Sequence, residues 1–315
     1  MATANRVQRT SLHLIPGSCP SPLALTVREF LLDRQARNTS AGTLRFYRQK
    51  LYHFLAFLTT EGVTHPADLT AGHVRRYLVS LQEEGRTPGG QHAHFRAIRA
   101  YLRFLVREGD LESNPLDRLQ GPRVPEALLA PVPLEHVRAM LKTCDLRTSL
   151  GCRDASLLLA LLDTGCRASE FQGLNVGDVD LTTGAILVRK SKGKRPRTVF
   201  LGSKALRALL RYLRHRPDVG PGDPLWATQD GRRLTYWGLR QVVRRRAELA
   251  GVAAPSLHSF RRAFALLSLR AGMDVYSLQR LMGHADLSVL RRYLLQTEQD
   301  LQRAHERCGP VDNLL

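Results

Sequence analysis

Residues 157–170 read LLLALLDTGCRASE: six apolar side chains, a short polar step, a glycine, and then a single arginine. An apolar run with no polar stripe reads as a helix covered on all sides, and Gly165 is where such a helix stops. Arg167 therefore enters or borders a domain interior. A guanidinium in that setting is costly unless it is paired or holds an anion. Two readings are open: a structural pair with Glu170, or a cation reserved for an anionic ligand.

Upstream of this run the periodicity is helical throughout. Leu23, Val27, Phe30 and Leu31 share one face, and Leu44, Tyr47, Leu51, Phe54, Leu55 and Leu58 share another, with Ser40 or Thr43 as cap. Residues 68–83 predict a third helix with Val74, Tyr77, Leu78 and Leu81 inward. Residues 91–108 predict a fourth, with Phe95, Ile98, Leu102 and Leu105 inward and Arg96, Arg99, Arg103 and Arg107 outward. Five prolines between Pro115 and Pro133 mark a semi-rigid connection. Helices over 134–144 and 154–164 open the second half. Ala185–Arg189 and Thr198–Leu201 then flank a Lys/Gly-rich turn at 190–195, a hairpin with a basic tip, and helices resume at Ser203. The expected class is mostly α: a leader 1–22, a helical domain 23–114, a linker 115–130, an α-rich second domain 131–300 with one small β-hairpin, and a tail 301–315.

Composition narrows the partner. The 315 residues are 43% hydrophobic, enough for two cores, and 47 basic against 28 acidic side chains leave a net charge of +19. Such an excess favours a polyanion. Only six of the basic residues are lysines, and Lys190, Lys192 and Lys194 cluster at the hairpin tip. No apolar run approaches the roughly 20 residues of a membrane helix, and residues 1–21 lack the apolar core of a signal peptide. The five cysteines are scattered without C-x-x-C spacing, which supports neither a zinc site nor a disulfide framework. The expectation is a cytoplasmic, nucleoid-associated protein with no membrane partner.

Three further groups bear on chemistry. Lys192-Gly193-Lys194-Arg195 puts a glycine-flanked lysine on a turn, where it can reach a phosphate or simply attract nucleic acid. In Ser256-Leu257-His258-Ser259-Phe260-Arg261, a cap at Ser256 would set His258 and Arg261 on one face near a helix N-terminus, a position suited to an oxyanion. Gly283-His284 places a second imidazole after a turn glycine, and Tyr293 follows nine residues later. Taken singly, each has an ordinary structural explanation.

Their order does not. Arginine, hairpin lysine, His-x-x-Arg, Gly-His and a tyrosine nine residues on resemble the tyrosine recombinase (phage integrase) family, over nearly the whole chain. The resemblance implies a helical core-binding (SAM-like) domain followed by the catalytic domain. It implies that Arg167 and Arg261 hold the non-bridging oxygens of a scissile DNA phosphate, that Lys192 protonates the departing 5′ oxygen, that His258 transfers a proton, that His284 donates a hydrogen bond, and that Tyr293 is the nucleophile. Lys190 and Lys194 are alternatives for the acid, because the hairpin is about one residue longer than is common. Arg262 stands where the family usually has a second histidine, a supporting position. With no arm-binding domain before residue 22, the pattern is closest to Xer-like or mobile-element recombinases.

The reaction so implied is transesterification through a 3′-phosphotyrosyl intermediate, with no metal, no ATP and no cofactor. The implied partner is a double-stranded DNA target site, contacted by Arg96, Arg99 and Arg103 from the first domain and by Lys190, Lys194, Arg244 and Arg245 from the second. The alternative for the run Arg244-Arg245-Arg246 is a solvated helix face. A homotetramer on DNA, with the tail docking on a neighbouring protomer, and a paralogue or accessory factor are further expected partners. Chromosome partition, plasmid resolution and element movement all remain open as the task. The competing readings are a type IB-like topoisomerase and a noncatalytic DNA-binding protein of the same fold.

Overall fold

The computed structural model describes residues 21–117, 119–125, 130–189, 196–283 and, beyond these, 302, 305, 306, 309 and 311. The chain divides into two compact units, Met1–Ala127 and Leu128–Leu315. Among its described residues the first has four α-helices: α1 (Pro22–Ala36), α2 (Ala41–Thr60), α3 (Ala71–Glu83) and α4 (Pro88–Glu108). Each starts at a hydroxyl cap, Ser21, Ser40, Thr70 and Thr87, whose side chain accepts from the next free backbone N–H. Ser40, not Thr43, is the cap of α2. Leu23, Phe30, Phe54, Val74, Tyr77, Ile98, Leu102 and Leu105 form one core, and Arg96, Arg99 and Arg103 are exposed on the far face of α4.

The proline-rich stretch packs on this unit as far as Pro122, whose carbonyl lies 3.2 Å from His92 Nδ1, and residues 123–125 are exposed. Leu116 is buried, and Gly121 lies so close to Phe95 that an added Cβ would fall 2.6 Å from its ring. Inside the same core Tyr77 Oη bonds Nδ1 of both His53 (2.9 Å) and His94 (2.6 Å). Burial, aided by the charges of Lys50, His53 and Arg86, holds His94 down to about 3.

The second unit contains α5 (Leu134–Lys142), α6 (Ser149–Thr164), the short α7 (Ala168–Gln172), β1 (Ala185–Val188), β2 (Arg197–Phe200), α8 (Ser203–Leu213), α9 (Tyr236–Leu249), α10 (Leu257–Arg270) and α11 (Val275–Met282). The leucine run behaves as its composition dictates. α6 runs through the middle, packed by α8, α10, α5, α9 and β2, with Leu157, Leu158 and Leu161 fully covered. The hairpin is antiparallel, pairing Ala185 with Phe200, Ile186 with Val199, Leu187 with Thr198 and Val188 with Arg197. Alternation puts Ile186, Val188 and Val199 into the core and leaves Leu187 and Phe200 exposed.

Asp154, one turn into α6, is fully buried and accepts from three arginines: Arg153 (2.8 Å), Arg245 (2.7 Å) and Arg246 (2.7 Å). Arg246 also donates to the Thr143 carbonyl at 2.6 Å. The Arg244–Arg246 run is thus not one face. Arg246 lies on the buried stripe of α9 with Leu239, Val242 and Val243, Arg245 is half-exposed, and Arg244 points outward and pairs with Glu248 at 2.6 Å.

Candidate active site

Gly165 ends α6 in a left-handed conformation, φ 56°, and its Cα faces the Phe264 ring so closely that a Cβ would sit 2.2 Å from Cδ1. Only glycine makes this turn here, and the turn delivers Arg167 to the start of α7. Arg167 donates Nη1–H to Glu170 Oε1 (2.9 Å), its backbone N–H to Glu170 Oε2 (3.0 Å), and Nη2–H to the Gly283 carbonyl (3.2 Å). The structural pair with Glu170 therefore exists. The arginine nevertheless keeps 32% side-chain exposure while Glu170 keeps 3%, so the carboxylate is its anchor and the guanidinium still faces outward.

Arg261 arrives from the other side. Ser256 caps α10 by accepting from the Ser259 N–H (3.1 Å), which sets His258 and Arg261 one turn apart on the same face. Arg261 is 1% exposed and donates to the carbonyls of Gly165 (2.5 Å) and Met282 (2.7 Å). Burial lowers the pKa of His258, and the positive charges of Arg262, Arg261 and Arg167 lower it further. Its imidazole is accordingly neutral near pH 7. His258 and Arg261 share a face of α10, and the charge of Arg167 reaches the same imidazole.

The third wall is the end of α11. A helix C-terminus leaves carbonyls without intrahelical partners and carries the negative end of the dipole. Here Leu281, Met282 and Gly283 each receive one guanidinium N–H, from Arg197 (2.7 Å), Arg261 (2.7 Å) and Arg167 (3.2 Å). Arg197 also grips Glu170 with both Nη atoms, at 3.1 and 2.7 Å. Burial alone would raise the Glu170 carboxyl, but hydrogen bonds from Arg197 and Arg167 outweigh it and bring the group down to about 2.

Of the six expected catalytic residues the structure brings together Arg167, His258 and Arg261. Lys192, His284 and Tyr293 lie outside the described residues, as do Lys190 and Lys194 and most of the tail. Their chain neighbours Arg197 and Gly283 are at the site. Arg197 escaped sequence reasoning, although β alternation carried the signal: it shares the inward parity of Val199, an odd place for a charge. Among the described residues no group of three or more His, Cys, Asp or Glu side chains could hold a metal, and no helix is long and apolar enough to cross a membrane.

The sequence profile of the phage integrase family matches residues 132–300, and that of the phage integrase N-terminal SAM-like domain matches residues 28–109. The chain is 33% identical over 284 residues to the tyrosine recombinase XerC of Oceanobacillus iheyensis, covering 88% of this chain and 93% of that one. It is 27% identical to the tyrosine recombinase XerD of Listeria monocytogenes, covering 87% and 94%. The fold is similar to that of the XerH site-specific recombinase bound to a palindromic difH substrate (TM-score 0.73, 19% identity, 94% of this chain and 98% of that chain). It is likewise similar to a lambda integrase dimer bound to a COC′ core site (TM-score 0.71, 16% identity, 85% and 94%).

Proposed function

Because the chain belongs to the phage integrase family of tyrosine recombinases, we propose that its site works as follows. The protein is a site-specific DNA recombinase. The Tyr293 phenol attacks a backbone phosphorus, the bond to the 5′ oxygen breaks, and a 3′-phosphotyrosyl link and a free 5′-hydroxyl result. A second 5′-hydroxyl then reverses the step on the exchanged strand. One phosphodiester is traded for another, so the cycle stores its own bond energy and calls for neither ATP nor a metal.

The observation that carries this reading is the convergence of Arg167 and Arg261 on one helix end beside a neutral His258. Two planar guanidinium groups match the charge that grows on the non-bridging oxygens of a pentacoordinate phosphorus. A neutral His258 is ready to accept the phenolic proton. Lys192, or Lys190 or Lys194 in a shifted register, protonates the departing oxygen, and His284 donates to the phosphate. Binding at a double-stranded target engages Arg96, Arg99 and Arg103 in one unit and Arg244, Arg245 and the hairpin lysines in the other. Four copies assemble on paired sites, in the cytoplasm where such DNA resides, with a paralogue or accessory factor as a further partner.

Nicked suicide substrates test the chemistry, because the cleaved strand diffuses away and traps the covalent intermediate. Wild-type protein should form a sodium dodecyl sulfate-resistant DNA adduct at full rate in excess EDTA. Tyr293→Phe should bind DNA equally well and form none; adduct persisting in that variant removes Tyr293 from the role. A plasmid bearing two target sites distinguishes a recombinase, which exchanges flanks, from a topoisomerase, which only relaxes supercoils.

A further inference from the structure

Glu170 poses an electrostatic problem for the proposed chemistry. It is buried, ionised and in contact with Arg167, one of two arginines assigned to a phosphate. A carboxylate paired with that guanidinium alone would neutralise the charge intended for the substrate. The second guanidinium on Glu170 resolves this. Arg197 meets both carboxylate oxygens through a planar two-pronged contact, the strongest geometry available to the pair. Its Nε–H goes to the Leu281 carbonyl.

Arg197 is not itself placed to bind substrate. Its side chain is 10% exposed, its fork is spent on Glu170, and it lies beneath the Gly283 turn, where an added Cβ would come within 3.0–3.1 Å of its Cδ, Nε and Nη1. That turn is left-handed, φ 60°, so glycine is required there on two counts. Three chain segments far apart in sequence thereby meet at one side chain: the start of β2, the first turn of α7 and the last turn of α11.

We propose that Arg197 is a positioning residue for strand cleavage: it neutralises Glu170 and ties it to the end of α11, so that Glu170 orients Arg167 without consuming the charge Arg167 offers the phosphate. The proposal rests on the recombinase reading of the site. It assigns opposite duties to two arginines on one carboxylate, the buried one facing the protein and the partly exposed one facing the ligand.

The test compares Arg197→Met and Arg197→Lys with wild type in single-turnover adduct formation at saturating DNA. Lysine keeps the charge and gives up the fork. One substrate carries an ordinary scissile phosphate, and the other a methylphosphonate, in which a methyl group replaces one charged non-bridging oxygen. On the phosphate, Arg197→Met should be slower by about 10- to 100-fold with little change in DNA affinity, and Arg197→Lys should fall between it and wild type. On the methylphosphonate the deficit of both variants should shrink to about threefold or less, because there is less charge to neutralise. A deficit equal on both substrates overturns the proposal, as does an Arg197→Met rate equal to wild type or equal losses in the two variants. Should the melting curve show Arg197→Met unfolded, the lysine variant on the two substrates decides alone. Failure of wild type to form any adduct would instead strike at the recombinase reading.

Discussion

Gly165 shows how much of the site hangs on single atoms. A methyl group there meets a left-handed φ and the Phe264 ring together. Gly165→Ala should cost about 2 kcal/mol or more in denaturant unfolding, from backbone strain plus the ring's displacement. Adding Phe264→Ala should relieve the clash and leave the strain. A Gly165→Ala protein as stable as wild type would mean that the turn is not held as described. His258 makes a second residue-level statement. Burial and three arginines hold its pKa below the ordinary 6.5. The neutral form is the one that accepts a proton, so single-turnover cleavage should stay flat as pH falls from 8 through 6.5 and decline only below that. A decline centred at or above 6.5 would contradict a neutral His258 in the resting site.

Elements explain which residues were legible in advance. The covered helix, its glycine stop, the Ser256 cap of α10 and the inward leucines of α1–α4 depend on near neighbours, and the sequence shows those directly, whereas the caps at Ser21, Thr70 and Thr87 are seen only in the structure. The duties of the arginines depend on distant partners. Arg246 finds its carboxylate 92 positions upstream at Asp154, and Arg197 reaches a carbonyl 84 positions downstream at Leu281. No periodicity encodes such pairs, although the apolar stripe of α9 does include position 246. The three consecutive arginines of α9 should therefore respond differently. Arg246→Ala should destabilise the protein by about 2 kcal/mol or more, since it leaves buried acceptors short of a donor. Arg244→Ala, on an exposed pair, should change stability by less than about 0.5 kcal/mol. Thermal or chemical denaturation reads both, and equal losses would refute the division of the helix into an inner and an outer arginine.

In the first unit the analogous buried group is His94. Its folded pKa, about 3, lies below the ordinary 6.5, so the unfolded chain takes up the proton first. Stability from this group is complete above pH 6.5 and drains away as pH falls from there toward 3. Protection factors of the α4 amides, taken relative to the intrinsic exchange rate at each pH, should fall over that interval, and His94→Phe should flatten the acid response. A fall confined to pH below 3 would assign it to another group.

For the whole molecule, the charge read from composition becomes specific only once the buried arginines are set apart. Arg153, Arg246 and Arg261 are internal, whereas Arg96, Arg99, Arg103 and Arg244 face solvent. DNA affinity should fall steeply with salt, with log K changing by about 0.9 per phosphate neutralised for each tenfold rise in salt. Arg99→Ala should reduce that slope by about one phosphate contact. A slope unchanged in this variant would take the outer face of α4 out of the DNA interface.

Capping of α11 by three guanidinium groups also sets up a competition at the site. Leu281, Met282 and Gly283 each accept from one of them, so an anion drawn to the cationic cluster competes with the end of the helix. On the proposed reading, a diester docking on Arg167 and Arg261 would compete for hydrogens given to Gly283 and Met282. Phosphate recognition and the capping of the last turn of α11 are therefore linked, because both draw on the same two guanidinium groups.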